Sequence, residues 1–202
     1  MPLAPELLAG AYGGDEAGLI CGYLFDAAAA EPARALDSVA AAAWLDSAAH
    51  APADTGAYLW LHFNLSHAQA ERWLLRHAAL SDTFYGALRD GLHSTRIERA
   101  DDALVAVVND VHFDFRFEPS DISTLWINVG PRLVVTARTK PLRSVDALRT
   151  AVRAGDAPRS STELLEHLLR TQADVLVAIV RDATARIDDI EDELLTGRLD
   201  HK

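Results

Sequence analysis

Cysteine is nearly absent, since Cys21 is the only one in the chain. A single thiol excludes an intramolecular disulfide framework and any multi-cysteine zinc or iron–sulfur site. It fits a reducing, cytosolic compartment, and Cys21 lies in an apolar stretch where a thiol is inert packing. Basic charge is scarce as well. Nineteen lysines and arginines stand against thirty aspartates and glutamates, a net charge of −11. The counterion-releasing surface of a nucleic-acid binder is therefore missing. Long apolar runs are lacking too. Ala103–Val108 and Val175–Val180 are six residues each, against roughly 18 for a membrane-crossing helix. Met1–Gly10 has no basic flank and too short an apolar core for a signal peptide. No G-x-S-x-G elbow, Walker loop or dinucleotide G-x-G-x-x-G occurs, so nothing supports an enzyme.

What is present is a 202-residue chain, half hydrophobic and 24% charged. That is the mix of a globular protein with one or at most two domains, large enough to fold on its own core. The patterning predicts an acidic, soluble, intracellular α/β domain. Leu19–Phe25 reads as a strand, followed by an alanine-rich helix over Ala33–Ala49 with Pro32 at its first position. Pro52 to Gly56 breaks the chain. The next strand, Ala57–Leu65, has one face of Ala57, Leu59, Leu61, Phe63 and Leu65, and both of its faces should be covered.

Ser66 and Gln69 form a capping-box pattern ahead of a helix over His67–Ala78. Ser81 and Asp82 open a second short helix, which Gly91 ends. Two hairpins follow: Thr95–Arg99 with Ala103–Val111, and Ile122–Val129 with Arg132–Arg138. The alternating Phe113, Phe115 and Phe117 extend a strand towards Glu118. Ser144 caps a helix to Ala154, and Gly155 with Pro158 stops it. The expected fold class is therefore α/β, with a mixed sheet covered by helices on both faces and a long helix after it.

That last segment differs in kind. Ser160 and Glu163 make another capping box, and no proline or glycine interrupts the chain to Thr196. Gln172, Leu176, Ile179, Ala183, Ile187, Ile190 and Leu194 recur at steps of three and four, a coiled-coil-like seam. A helix of roughly 35 residues spans about 50 Å, so its far half must project and requires a partner helix. The sequence is expected to be a fragment.

Asp182, Asp188, Asp189, Glu191, Asp192 and Glu193 put six carboxylates into twelve residues, with Arg186 the only opposing charge there. Asp188 with Asp192, and Asp189 with Glu193, stand one turn apart and repel. A divalent cation or a basic neighbouring segment would offset this, and a solvated outer face is the plainer reading. Asp188, Asp189, Asp192 and Glu193 are thus candidates for weak, diffuse cation attraction, with no tightly bound cofactor expected. His62, His67 and His77 lack a two-cysteine arm, and about 15 Å of helix separates His67 from His77, so structural roles are expected. Trp44, Trp60, Trp73 and Trp126 sit where core packing is the default.

Two stretches carry a family resemblance. Trp60-Leu61-His62-Phe63-Asn64-Leu65-Ser66-His67 resembles the W-L-H-x-N-x-[ST]-H segment of ZntB proteins, with Arg72-Trp73-Leu74 in the following helix. Ala154-Gly155-Asp156-Ala157-Pro158 resembles the x-G-x-x-P break before that family's long helix. Ile187 to Leu195 is similar to its I-x-x-L-E-D-x-L-L. The resemblance is to the N-terminal cytoplasmic domain of a ZntB-type member of the CorA superfamily of divalent cation transporters.

It implies an α/β/α sandwich over residues 1–158. Residues 159–202 would be a long acidic helix, the first arm of a hairpin cut before the stalk and transmembrane helices. It also implies a homopentamer in the full protein, on the cytoplasmic side of the inner membrane, with zinc, magnesium or another divalent cation as the transported or weakly held ion. The fragment alone would be soluble and transport nothing. The regulatory L-E-D pair of CorA-type relatives is replaced by Tyr85-Gly86-Ala87, with Asp90 off the matching position, so that metal site is not implied. The rival reading is a soluble α/β interaction module whose long helix docks a partner.

Overall fold

The computed structural model describes residues 14–48, 56–90, 94–112 and 122–199. Among them the chain forms β1 (Leu19–Phe25), β2 (Ala33–Leu36), α1 (Ser38–Ala48), β3 (Tyr58–Asn64), α2 (Ala70–His77) and α3 (Asp82–Arg89). It continues through β4 (Arg96–Ala100), β5 (Ala103–Val111), β6 (Ile122–Val129), β7 (Leu133–Arg138), α4 (Arg143–Arg153) and α5 (Ser161–Leu199). The strands make one seven-stranded sheet in the order β2-β1-β3-β7-β6-β5-β4. β3 and β7 run parallel, and every other pair is antiparallel. This is the expected mixed sheet.

The β3 sequence explains its central place, because apolar residues on both faces demand cover on both. Leu59, Leu61 and Phe63 join Val105, Val107 and Trp126 in a core beneath Ala41 of α1, Leu74 of α2 and Phe84 of α3. On the other face Tyr58 and Trp60 join Ala106, Ile127 and Val134 beneath α4 and the first turns of α5. Tyr23 stacks on Trp60 at 5.8 Å between ring centroids, and Phe25 on Tyr58 at 5.0 Å. Each such side chain contributes roughly 1.5–3 kcal/mol on burial. Leu59 and Leu61 are buried, as the sequence predicts, and so are Val105 and Val107.

Three local expectations fail, each for a physical reason. Ala33–Leu36 is a strand, not the start of the alanine-rich helix, and pairs with β1 from Gly22↔Leu36 to Phe25↔Ala33. Satisfying the free backbone edge of β1 outweighs the helix propensity of alanine. The helix begins instead after Asp37, whose carboxylate accepts from the Ala40 amide at 2.8 Å. The Ser66–Gln69 box does not form either. The Ser66 hydroxyl donates to the Thr139 carbonyl, Asn64 Oδ1 accepts from the Ser66 amide, and α2 starts only at Ala70. Ser144 lies inside the first turn of α4, with Leu142 at the cap, because its hydroxyl is taken by Asp110. Ser81 does cap α3, accepting from the Phe84 amide. Phe113, Phe115, Phe117, Gly91 and the end of the predicted alanine helix at Ala49 lie outside the described residues.

Candidate functional site: the long acidic helix

α5 opens on the predicted capping box. The Glu163 amide donates to Ser160 Oγ at 3.1 Å, and Glu163 Oε2 accepts from the Arg159 amide at 2.8 Å. Leu164, Leu165 and Leu168 then bury against the sheet, at 1%, 8% and 2% exposure. Polar contacts also hold this part of the molecule. Asp110 of β5 accepts from the amide and hydroxyl of Ser144 in α4, and from the Val111 amide. Burial raises its carboxyl above the usual range against the pull of those donors. Further along, the Gln172 side-chain amide donates to the carbonyl of Asn109.

From Ala173 to Thr196 no described side chain is buried. The seam is therefore open: Leu176 is 42% exposed, Ile187 and Ile190 are each 56%, and Leu194 is 65%. At about 100° per residue, Ile187, Ile190 and Leu194 share one side, and Asp188, Asp189, Asp192 and Glu193 lie around the opposite side. All four acids are exposed. No group of three or more His, Cys, Asp or Glu residues placed to hold a metal ion occurs among the described residues. The arrangement offers a negative surface to solvent and an apolar stripe to another helix.

The histidines divide between the two faces of the sheet. His62 is 1% exposed on the α4–α5 face, with Nδ1 at 2.9 Å from the Thr136 hydroxyl. The same hydroxyl accepts from the Trp60 indole at 2.9 Å. Burial holds His62 well below the imidazole range, and the charges of Arg138 and Arg149 add to the effect. His67 sits in the turn before α2, over Gly18, where a Cβ would meet the His67 Cβ at 2.8 Å. Gly18 has φ +81, a backbone conformation that itself favours glycine. His77 packs against Trp73 with the rings tilted and their centroids 5.0 Å apart. The structure therefore does not bring the three histidines together. Trp60 and Trp126 are buried and Trp44 and Trp73 partly so, all against the two cores. Burial pushes the Cys21 thiol up to about 12, so it stays protonated at neutral pH.

What reading the sequence missed is how α5 is anchored. Gln172 was legible as a polar member of the seam, but its partner is a backbone carbonyl on β5, which no spacing rule indicates. None of the described helices is long and apolar enough to cross a membrane.

Known proteins place this geometry. The chain is 25% identical over 181 residues to the divalent cation transporter CmaX of Pseudomonas aeruginosa, covering 88% of this chain and 52% of that protein. The solved structure of full-length CmaX superposes with a TM-score of 0.73 at 24% identity, over 88% of this chain and 52% of that one. The zinc transport protein ZntB of Pectobacterium carotovorum subsp. carotovorum is 21% identical over 140 residues, 69% of this chain and 43% of that protein. The ZntB cytoplasmic domain from Vibrio parahaemolyticus shares the fold, with a TM-score of 0.59 at 15% identity over 81% of this chain and 62% of that one. The chain thus spans about half the length of the curated relatives it matches. The family model for the CorA-like Mg2+ transporter protein matches residues 55–201, from before β3 to beyond the acidic stretch, and the chain belongs to that family.

Proposed function

We propose that this chain is the cytoplasmic, funnel-forming and regulatory region of a divalent cation transporter, acting on zinc, magnesium or a similar ion. The observation that carries the reading is the two-sided character of α5 beyond Gln172, apolar on one side and acidic on the other, within the region matched by the family model. The apolar side is covered by further helices of the same transporter, assembled as a homopentamer. The acidic side, with Asp188, Asp189, Asp192 and Glu193, faces the ion path. There it raises local cation concentration by its field, without tight ligation. This region carries no transport by itself and sits on the cytoplasmic side of the inner membrane.

The test is cation uptake by inside-out vesicles holding the transporter that contains this region, as a function of the outside Zn2+ or Mg2+ that then meets the cytoplasmic face. Changing the four acids to Asn or Gln should raise the half-saturating concentration and leave the maximal rate nearly intact. An unchanged concentration dependence would remove the acidic surface from the mechanism.

A further inference from the structure

Away from α5, the β4–β5 turn, the β6–β7 turn and the α2–α3 connection meet at one end of the sheet and enclose a cleft of about 550 Å3. Its walls include Leu80 and Leu133, and Asn128 forms part of its lining. Asn128 is 3% exposed, and its Oδ1 has no hydrogen-bond partner among the described residues. Its position is an odd one for an amide. On the sheet Asn128 lies between Val105 and Val135, both buried in the core beneath α1, α2 and α3. Alternation along β6 puts its side chain on the same face as Trp126, the face on which the cleft opens. Here an apolar residue would complete the core, whereas an amide leaves a buried acceptor unfilled, which native structures rarely tolerate without a partner.

The rim carries more acid than base. Asp101, at φ 52, and Asp102 form the β4–β5 turn, and both are exposed at the mouth. Arg132 is the basic residue of the lining, and its guanidinium lies 5.3 Å from the centroid of the Trp44 ring, on the α1 side. The Ser81 oxygen is engaged by the α3 cap. A polar acceptor deep in an apolar cleft, with two carboxylates at its mouth, is the pattern of a site for an apolar body carrying a cationic donor.

We propose that this cleft binds a small organic cation, a protonated amine on a compact apolar body. The ammonium N–H donates to Asn128 Oδ1, Asp101 and Asp102 offset its charge, and Leu80 and Leu133 enclose the body. The site stands apart from the acidic helix and does not depend on the reading of α5.

The experiment is a chemical-shift titration of the isotope-labelled 202-residue chain with benzylamine, and with benzyl alcohol as the neutral control. Benzylamine should shift the amides of residues 100–103, 128–130, 132 and 133 and bind more tightly than the alcohol. Asn128→Val should weaken it about tenfold or more, equivalent to at least about 1.4 kcal/mol. The double change Asp101→Asn with Asp102→Asn should weaken it severalfold and remove its dependence on salt. No shift at those amides with millimolar benzylamine would overturn the proposal, as would equal binding by Asn128→Val. If that variant does not fold, unchanged affinity in the double variant overturns it alone. Mg2+ shifting these amides where benzylamine does not also counts against it.

Discussion

The side-chain amide of Gln172 donates to the backbone carbonyl of Asn109, and past that bond α5 has no further buried residue among those described. About 40 Å of helix lies beyond this point at 1.5 Å per residue. The bond divides a part held by the sheet from a part left uncovered among the described residues.

The two parts should respond differently to mutation. Leu168→Ala, at 2% exposure, removes packing against α4 and should cost about 2–5 kcal/mol in urea unfolding. Ile187→Asp and Ile190→Asp should stay within about 0.5 kcal/mol of wild type. A destabilisation by Ile187→Asp equal to that of Leu168→Ala would mean that the seam is already covered within the chain.

Assembly should follow the same division. On its own the chain should associate weakly, through the Leu176–Leu194 seam. Sedimentation equilibrium would show the association falling in the Ile187→Asp and Ile190→Asp variants. A tight pentamer indifferent to both changes would relocate the contact to the sandwich.

Cation binding should be weak, multivalent and sensitive to ionic strength. One helix face offers an ion two or three carboxylate oxygens, short of the six to eight that calcium takes, and screening at physiological salt acts over about 8 Å. Calorimetric titration of Zn2+ and Mg2+ at low and high salt checks this. A single tight site that survives high salt, and vanishes on His67→Ala, would transfer the role to the histidines.

The buried imidazole sets a pH dependence. His62 has a folded pKa well below its ordinary value, so between the two values the unfolded chain binds a proton that the folded chain refuses. Stability should therefore decline as pH falls below about 6.5, by up to about 1.4 kcal/mol per pH unit. His62→Gln should flatten the decline, and a slope unchanged in that variant would exclude His62 as its source. Asp110 acts in the opposite sense. Its raised pKa contributes stability at acid pH that is lost as pH rises through the folded value. The difference between wild type and His62→Gln therefore carries the result.

The outline of this protein was legible in its residues. One fully apolar face of β3 and an amphipathic face of Tyr58, Trp60, His62 and Asn64 opposite it announced a strand covered on both sides, and the Ser160–Glu163 box marked the start of α5. The same seven-position seam that announced a helix gave it one apolar side. These features are local or periodic, and a single element contains all the information that specifies them.

Tertiary structure decided the rest, because the deciding partners are far apart in sequence. Ala33–Leu36 became a strand only because β1 had a backbone edge to fill. Ser144 left its expected cap for a carboxylate 34 positions earlier. His62 is held well below its ordinary pKa by burial and by the charges of Arg138 and Arg149, 76 and 87 positions away, in surroundings that its own motif does not describe. The amphipathic pattern of α5 came from its own sequence, but the last contact it keeps with the sheet is a hydrogen bond between residues 63 positions apart.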